Sequence, residues 1–176
     1  MSPRPIPLKI IVAGAGGVGK TTLLRRYQTG QFVPASTTVG VNFVTQQISH
    51  GDKIIILSIW DYAGEERFKS LFPGYANGSK GGFCVFDMTR PESLNGLSDW
   101  INIIFEKNGL EIPVLLVGSK VDSVNDESRE FLGKQAREFA QQHSLRGYYE
   151  VSSKTGEGVP ELFDALSLEI IQYLKI

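Results

Sequence analysis

Apolar residues along this chain follow two distinct spacings. Five short runs are continuous and rich in isoleucine, valine and aromatic side chains, as in strands that are buried on both faces of a sheet. These runs occupy residues 8–13, 54–60, 82–86, 114–118 and 148–151. We therefore expect most strands to lie in the interior of a parallel sheet.

Between the runs, apolar residues recur with the spacing of an amphipathic helix. Such segments follow Lys20 and occupy residues 91–105, 128–142 and 162–174. Helices that alternate with buried strands pack on both faces of the sheet. The pattern therefore predicts a single α/β domain.

One connection breaks this alternation. Residues 41–48 and 54–60 both have strand character, and only residues 49–53 join them. A parallel crossover needs about a dozen residues or more, so this pair is predicted to be an antiparallel hairpin. The expected sheet is mixed, with about six strands of which one is antiparallel.

Composition narrows the classes of partner. The 176 residues carry a net charge of −1 with scattered lysines and arginines, so no basic face for nucleic acid or an anionic membrane is predicted. The single cysteine, Cys84, lies in an apolar run and is expected to be buried. No stretch of about 18 apolar residues and no secretory leader is evident, which favours a cytoplasmic protein.

The two ends of the chain suggest a boundary between a tail and the domain, and they bear on whether a lipid anchor is expected. Residues 1–7 are proline-rich and are predicted to be a flexible tail before a domain at residues 8–176. The last residues include no cysteine, so we expect no prenyl anchor there and any membrane association to be made through partners. A monomer is the default expectation.

A glycine-rich phosphate-binding motif, the P-loop, follows the first predicted strand directly. It reads Gly14-Ala15-Gly16-Gly17-Val18-Gly19-Lys20-Thr21, with Thr22 next. Its glycines let successive backbone N–H groups curl around phosphate oxygens at the positive end of the following helix. Lys20 is predicted to face the outer phosphates, and Thr21 to offer a hydroxyl to Mg²⁺. The motif predicts a P-loop NTPase domain, but by itself it does not distinguish ATP from GTP.

Two later polar segments carry candidate base-binding residues. The Asp122 carboxylate can accept both N1–H and the exocyclic amine of guanine, whereas adenine would meet it with a ring acceptor. Lys120, which follows Ser119, can lie across the plane of the base. After the last strand, a backbone N–H of the segment Ser152-Ser153-Lys154 can meet the guanine carbonyl.

With these motifs in this order, the chain resembles small GTPases of the Ras superfamily from about residue 8 to residue 174. Three further segments resemble the Rab branch: TVGVNF at residues 38–43, WDYAGEERF at residues 60–68 and FCVFDMT at residues 83–89. The resemblance implies a small G-domain with bound GTP or GDP and Mg²⁺. It also implies slow hydrolysis of GTP, and effector and regulatory proteins that bind two switch regions at about residues 33–43 and 61–76.

The resemblance also assigns roles to individual residues. Thr38 would bind Mg²⁺ in the GTP state, Asp61 would hold the ion through water, and the Gly64 N–H would contact the γ-phosphate. Phe32 matches the aromatic residue that packs beside the guanine, with core packing as the alternative. The catalytic group would consist of Lys20, Gly64 and Glu65.

Three positions depart from the family pattern. Glu65 stands where the family has a glutamine that orients the attacking water. An amide both donates and accepts while an ionised carboxylate only accepts, so Glu65 either slows hydrolysis or supports an altered mechanism. Ser119 replaces the usual asparagine, which predicts weaker or more mobile binding of guanine. The first switch is one residue shorter than the family pattern between Phe32 and Thr38, and it lacks the usual tyrosine. Thr37 is therefore an alternative to Thr38 as the ligand of Mg²⁺.

The expected function is a GTP-dependent molecular switch. The alternative is a scaffold that holds nucleotide with little or no hydrolysis, as Glu65 and Ser119 would allow. A phosphotransferase that uses ATP is disfavoured by Asp122. The aromatic residues Phe43 and Trp60, with Tyr75, form either a packing cluster or a surface for effectors.

Overall fold

Six strands form one mixed sheet in this computed structural model, which describes residues 4–176. They are β1 (Ile6–Ala13), β2 (Val41–His50), β3 (Lys53–Tyr62), β4 (Gly81–Asp87), β5 (Val114–Ser119) and β6 (Tyr148–Glu150). Their order in the sheet is β2-β3-β1-β4-β5-β6, and every neighbouring pair is parallel except β2 and β3. The antiparallel hairpin and the mixed α/β sheet predicted from the sequence are therefore confirmed.

The helices lie in the connections between the strands. They are α1 (Lys20–Thr29), α2 (Phe72–Ala76), α3 (Glu92–Asn95), α4 (Leu97–Asn108), α5 (Asp126–Gln142) and α6 (Val159–Leu174), with 3-10 turns at Glu66–Leu71 and Val121–Ser123. The helix predicted at residues 91–105 is divided at Gly96, a residue of low helix propensity. Helix α5 begins before Ser128 because the side chain of Asn125 accepts the Ser128 N–H at 2.8 Å and caps the first turn.

Two apolar layers hold the helices on the sheet. On one face α1 and α6 pack on the strands, with Leu23 and Leu162 fully buried. On the other face α2, α4 and α5 form the second layer, where Leu97 is fully buried. Cys84 lies in this layer, and burial raises the pKa of its thiol to about 12. Helices thus cover both faces, as the alternating pattern predicts.

The start of the domain differs slightly from the prediction. Strand β1 begins at Ile6, two residues before the predicted boundary at residue 8. Residues 1–3 of the predicted tail lie outside the described residues, so the division into a tail and a domain stays a prediction. Among residues 4–176, no helix combines the length and the apolarity needed to cross a bilayer.

Parallel pairing brings the polar segments together. Strands β1, β3, β4 and β5 run in the same direction, so their carboxyl ends share one edge of the sheet. The P-loop follows β1, and Gly64 follows β3. Ser119 is the last residue of β5, and residues 120–122 come directly after it. In open α/β sheets this edge is where ligands bind.

Candidate functional site

A pocket of about 410 Å³ lies at this edge of the sheet, a volume within the range of small-molecule sites. It brings together most of the residues predicted for the site: Gly16, Gly17, Gly19, Lys20, Thr21, Thr22, Phe32, Thr38, Gly64, Glu65, Ser119, Lys120, Asp122, Ser153 and Lys154. The other predicted residues, Gly14, Ala15, Val18, Asp61 and Ser152, do not line the pocket. They support its wall instead, through the contacts described next.

The P-loop surrounds the buried ammonium group of Lys20. Its Nζ donates to the carbonyl oxygens of Gly14 and Ala15, both at 2.8 Å. Burial lowers the pKa of Lys20 to about 8, although the charge of Asp61 acts in the opposite direction. A buried cation of this kind gains from a neighbouring anion, and phosphate oxygens would supply one.

Three oxygen-bearing side chains meet beside this loop. The Thr21 hydroxyl donates to Asp61 Oδ2, and Thr21 Oγ1 lies 2.6 Å from Thr38 Oγ1. Asp61 is fully buried, and its other oxygen, Oδ1, has no hydrogen-bond partner among residues 4–176. Burial raises the pKa of Asp61, against the hydrogen bond from Thr21 and the charge of Lys20. A hard divalent cation would relieve this buried carboxylate, so the donor set fits Mg²⁺.

The described residues provide few protein ligands for such an ion. Among residues 4–176, no group of three or more His, Cys, Asp or Glu side chains is placed to hold a metal. Mg²⁺ is usually held by one or two protein groups together with water and substrate phosphates. A Mg²⁺ ion at this place would therefore need phosphate and water oxygens as further ligands. Of the two candidate threonines, Thr38 rather than Thr37 lies against Thr21.

The second switch segment lies directly on the P-loop. A Cβ at Gly64 would overlap the backbone of Gly14 and Ala15, so only glycine permits this approach. The next residue, Glu65, lines the pocket and makes an ion pair with Arg67, with Glu65 Oε2 2.7 Å from Arg67 Nε. The carboxylate at the position of the family's glutamine is therefore paired with a cation from its own segment.

Residues 119–122, which carry candidate base-binding residues and are called the base loop here, are joined to the P-loop by Ser119. It is buried, and its Oγ lies 2.6 Å from the carbonyl oxygen of Val18 and 2.9 Å from that of Phe86. Lys120 makes a second link, since its Nζ donates to the Gly17 carbonyl at 3.0 Å. A serine thus ties the two loops together even though it is shorter than asparagine.

Asp122 is held by the segment after β6. Asp122 Oδ1 accepts a hydrogen bond from the Ser152 hydroxyl at 2.6 Å, and Ser152 is fully buried. The Ser152 N–H donates to Glu157 O at 2.9 Å, so it is not available to a guanine carbonyl. Within the predicted segment, the N–H groups of Ser153 and Lys154 remain as candidates for that contact, and both residues line the pocket.

The opening of the pocket is formed by the first switch. The side chain of Phe32 is 43% exposed and lines the pocket, which argues against a role in filling the core. The pocket wall continues through Pro34, Ala35 and Ser36. These residues carry no motif, and only their position between Phe32 and Thr38 suggests that they reach the site.

Sequence analysis missed one charged group behind the P-loop. Asp87, at the end of β4, is almost fully buried, and its Oδ2 lies 2.6 Å from Lys120 Nζ. Hydrogen bonds from Lys120 and Thr89 lower the pKa of Asp87 and outweigh the opposite effect of burial. The available signal was an acidic residue at the end of an otherwise apolar strand, within the segment FCVFDMT.

Comparisons with known proteins agree with this geometry. The model of the Ras family matches residues 9–172. The chain is 36% identical to the human Ras-related protein Rab-12 over 177 aligned residues, which cover 99% of this chain and 72% of Rab-12. It is 38% identical to Rab-4 of Dictyostelium discoideum, with 91% of this chain and 78% of that protein covered. For the GTP-binding protein YPT53 of Saccharomyces cerevisiae, the identity is 31% and the coverage 94% and 77%.

Proposed function

The chain belongs to the Ras family and is a Rab-like small GTPase, and from this membership we propose that it uses the pocket at the P-loop as a magnesium-dependent GTP switch. The proteins of this family bind guanine nucleotides and hydrolyse GTP, so the function as a GTP-binding switch follows from the family. The proposal concerns which residues of this chain perform it.

One observation supports the proposal most strongly. A single pocket is lined both by residues of the P-loop and by Asp122, the acceptor suited to guanine. The P-loop residues are Gly16, Gly17, Gly19, Lys20 and Thr21. Thr21 and Thr38 line the same pocket with their hydroxyl oxygens 2.6 Å apart. One pocket thus provides separate candidate groups for phosphate, metal and base.

In the proposed site Lys20 and the P-loop amides would bind the phosphates, Thr21 and Thr38 would bind Mg²⁺, and Asp61 would hold the ion through water. When bound, Mg²⁺ supplies positive charge that offsets the phosphate oxygens. Because Thr38 lies in the first switch and Gly64 in the second, loss of the γ-phosphate would release both segments.

We expect the site to retain GDP less well without Mg²⁺. Chelation with EDTA should accelerate the release of a fluorescent GDP analogue about fivefold, because unscreened phosphates would then face the buried Asp61. In Asp61→Asn, which removes this buried charge, the difference between the two conditions should become smaller.

The control for this measurement is Asp52→Asn, an exposed carboxylate in the turn between β2 and β3. This variant should respond to EDTA as the native chain does. Equal release of GDP with and without Mg²⁺ in the native chain would argue against a metal in the nucleotide complex.

Ser119 gives a second prediction. We expect Ser119→Asn to bind GDP about threefold more tightly, because an amide can keep the link to Val18 while its second polar group reaches the base. Isothermal titration would measure the affinity, and thermal unfolding would detect strain from the larger side chain at this buried position. An unchanged affinity would mean that Ser119 is not a weak point of the site.

Effector proteins are expected to recognise an aromatic surface between the two switches. Phe43 is 56% exposed, and its ring lies edge-on to Trp60 with centroids 4.5 Å apart. Tyr75 continues the cluster at 5.8 Å from Trp60. An exposed aromatic ring that is held by partly buried aromatic neighbours suits a protein interface, so we propose that this surface binds effectors. We also propose that the chain acts as a monomer.

A further inference from the structure

The outer side of the P-loop is held by three side chains from other segments. The carbonyl oxygen of Gly16 accepts a hydrogen bond from Arg90 Nη2 at 3.0 Å. The next two carbonyls, of Gly17 and Val18, accept from Lys120 and Ser119 at 3.0 and 2.6 Å. Three consecutive peptide groups of the loop are therefore each held through their oxygen.

Holding a carbonyl also orients the N–H group of the same peptide. The peptide bonds of the described chain are trans, so the C=O and N–H of one peptide point in opposite directions. A donor outside the loop at Gly16 O thus directs the Gly17 N–H to the opposite side. Gly17 lines the pocket, and its φ of 74° is one that glycine adopts readily.

Arg90 is itself anchored by the buried carboxylate of Asp87. Arg90 Nε lies 3.3 Å from Asp87 Oδ2, and the Arg90 N–H donates to the Asp87 carbonyl at 2.9 Å. Asp87 Oδ1 accepts from both the backbone N–H and the hydroxyl of Thr89, at 2.8 and 2.6 Å. With Lys120 Nζ at 2.6 Å from Oδ2, four donors contact this nearly inaccessible carboxylate and fix its position. The guanidinium of Arg90 is therefore held by a rigid partner.

We propose that Arg90, anchored by Asp87, is a positioning residue that presents the Gly17 N–H to the β-phosphate of the bound nucleotide. This inference rests on the proposed function and adds a residue that belongs to neither the P-loop nor the base loops. Arg90 also lies close to Gly17 itself, since a Cβ built on Gly17 would be 3.6 Å from Arg90 Nη2.

The test compares two nucleotides that differ only in their phosphates. Arg90→Ala should bind GDP about fivefold more weakly, since the Gly17 N–H would lose its fixed direction, while its affinity for GMP should change less than about twofold. Isothermal titration of both nucleotides into the native chain and the variant measures the two ratios.

Arg146→Ala is a matched control at the other end of the sheet. The Arg146 side chain is 40% exposed against 42% for Arg90, and it too contacts one carbonyl oxygen and one carboxylate, both of Glu111, at 3.1 and 3.6 Å. Arg146→Ala should leave both affinities unchanged.

The possible results distinguish failure of the positioning role from failure of the proposed function. Equal weakening of GDP and GMP by Arg90→Ala, or no weakening of GDP, would overturn the positioning role. Failure of the native chain to hold GDP would instead contradict the proposed function, and it would be seen before any variant is compared.

Discussion

Asp122→Asn is expected to lower the affinity for GDP about 10³-fold while leaving a folded protein, because the amide has the shape of the carboxylate but not its two acceptors. In the native chain Asp122 Oδ1 is held by the Ser152 hydroxyl at 2.6 Å. The carboxylate is thus directed by a fully buried partner. Replacing one acceptor by an NH₂ group places a donor against the N–H groups of guanine.

The same variant should gain affinity for xanthosine diphosphate. Xanthine has a carbonyl where guanine has the exocyclic amine, so an amide can donate to that carbonyl and accept N1–H. Competition of GDP, xanthosine diphosphate and ADP against a fluorescent nucleotide measures the change. Asp126→Asn, an exposed acidic residue at the start of α5, is the control. A lower affinity for GDP without a higher affinity for xanthosine diphosphate would mean that Asp122 stabilises the fold rather than contacting the base.

Glu65→Gln is expected to accelerate single-turnover hydrolysis of bound GTP about 30-fold. The native Glu65 side chain has no N–H group to donate, and its Oε2 lies 2.7 Å from Arg67 Nε. It would also carry negative charge towards the γ-phosphate. A glutamine amide can accept a hydrogen bond from the attacking water through its oxygen and donate one to the γ-phosphate through its NH₂ group. We therefore expect glutamine to stabilise the transition state for hydrolysis better than glutamate does.

Two controls accompany this measurement. Glu66→Gln makes the same chemical change at the neighbouring, more exposed position and should leave the rate unchanged. Lys20→Ala, which removes the buried cation of the P-loop, should prevent retention of GTP. Slower turnover in Glu65→Gln would show instead that the glutamate takes a direct part in activating water.

Substitution of Arg67 tests whether the ion pair determines the effect of Glu65 on the rate of GTP hydrolysis. Arg67→Ala should slow hydrolysis about threefold in the native chain, because it leaves the glutamate charge unpaired near the γ-phosphate. In the Glu65→Gln background the same change should have no effect. Equal effects in both backgrounds would mean that Arg67 acts independently of Glu65.

The predictions that succeeded from sequence rest on local patterns. The spacing of apolar residues distinguishes strands from helices, and the predicted connection of five residues is too short for a parallel crossover. In the structure the hairpin is tighter still, with only Gly51 and Asp52 between the two strands. The P-loop is recognisable because its chemistry requires glycine, lysine and threonine at consecutive positions between a strand and a helix. The division of the helix at Gly96 and the early start of β1 show that such patterns leave element ends uncertain by a few residues.

The sequence by itself therefore determined the fold class, and it predicted the nucleotide site and the residues proposed to contact phosphate and base. Only the tertiary structure decided which groups meet across long separations: Thr21 with Asp61, Ser119 with Val18, and Arg90 with Gly16. These contacts depend on the order of the strands and on the direction of each side chain, neither of which local spacing encodes. The physical reason is that a parallel sheet gathers distant segments at one edge, where packing then selects the partner of each polar group.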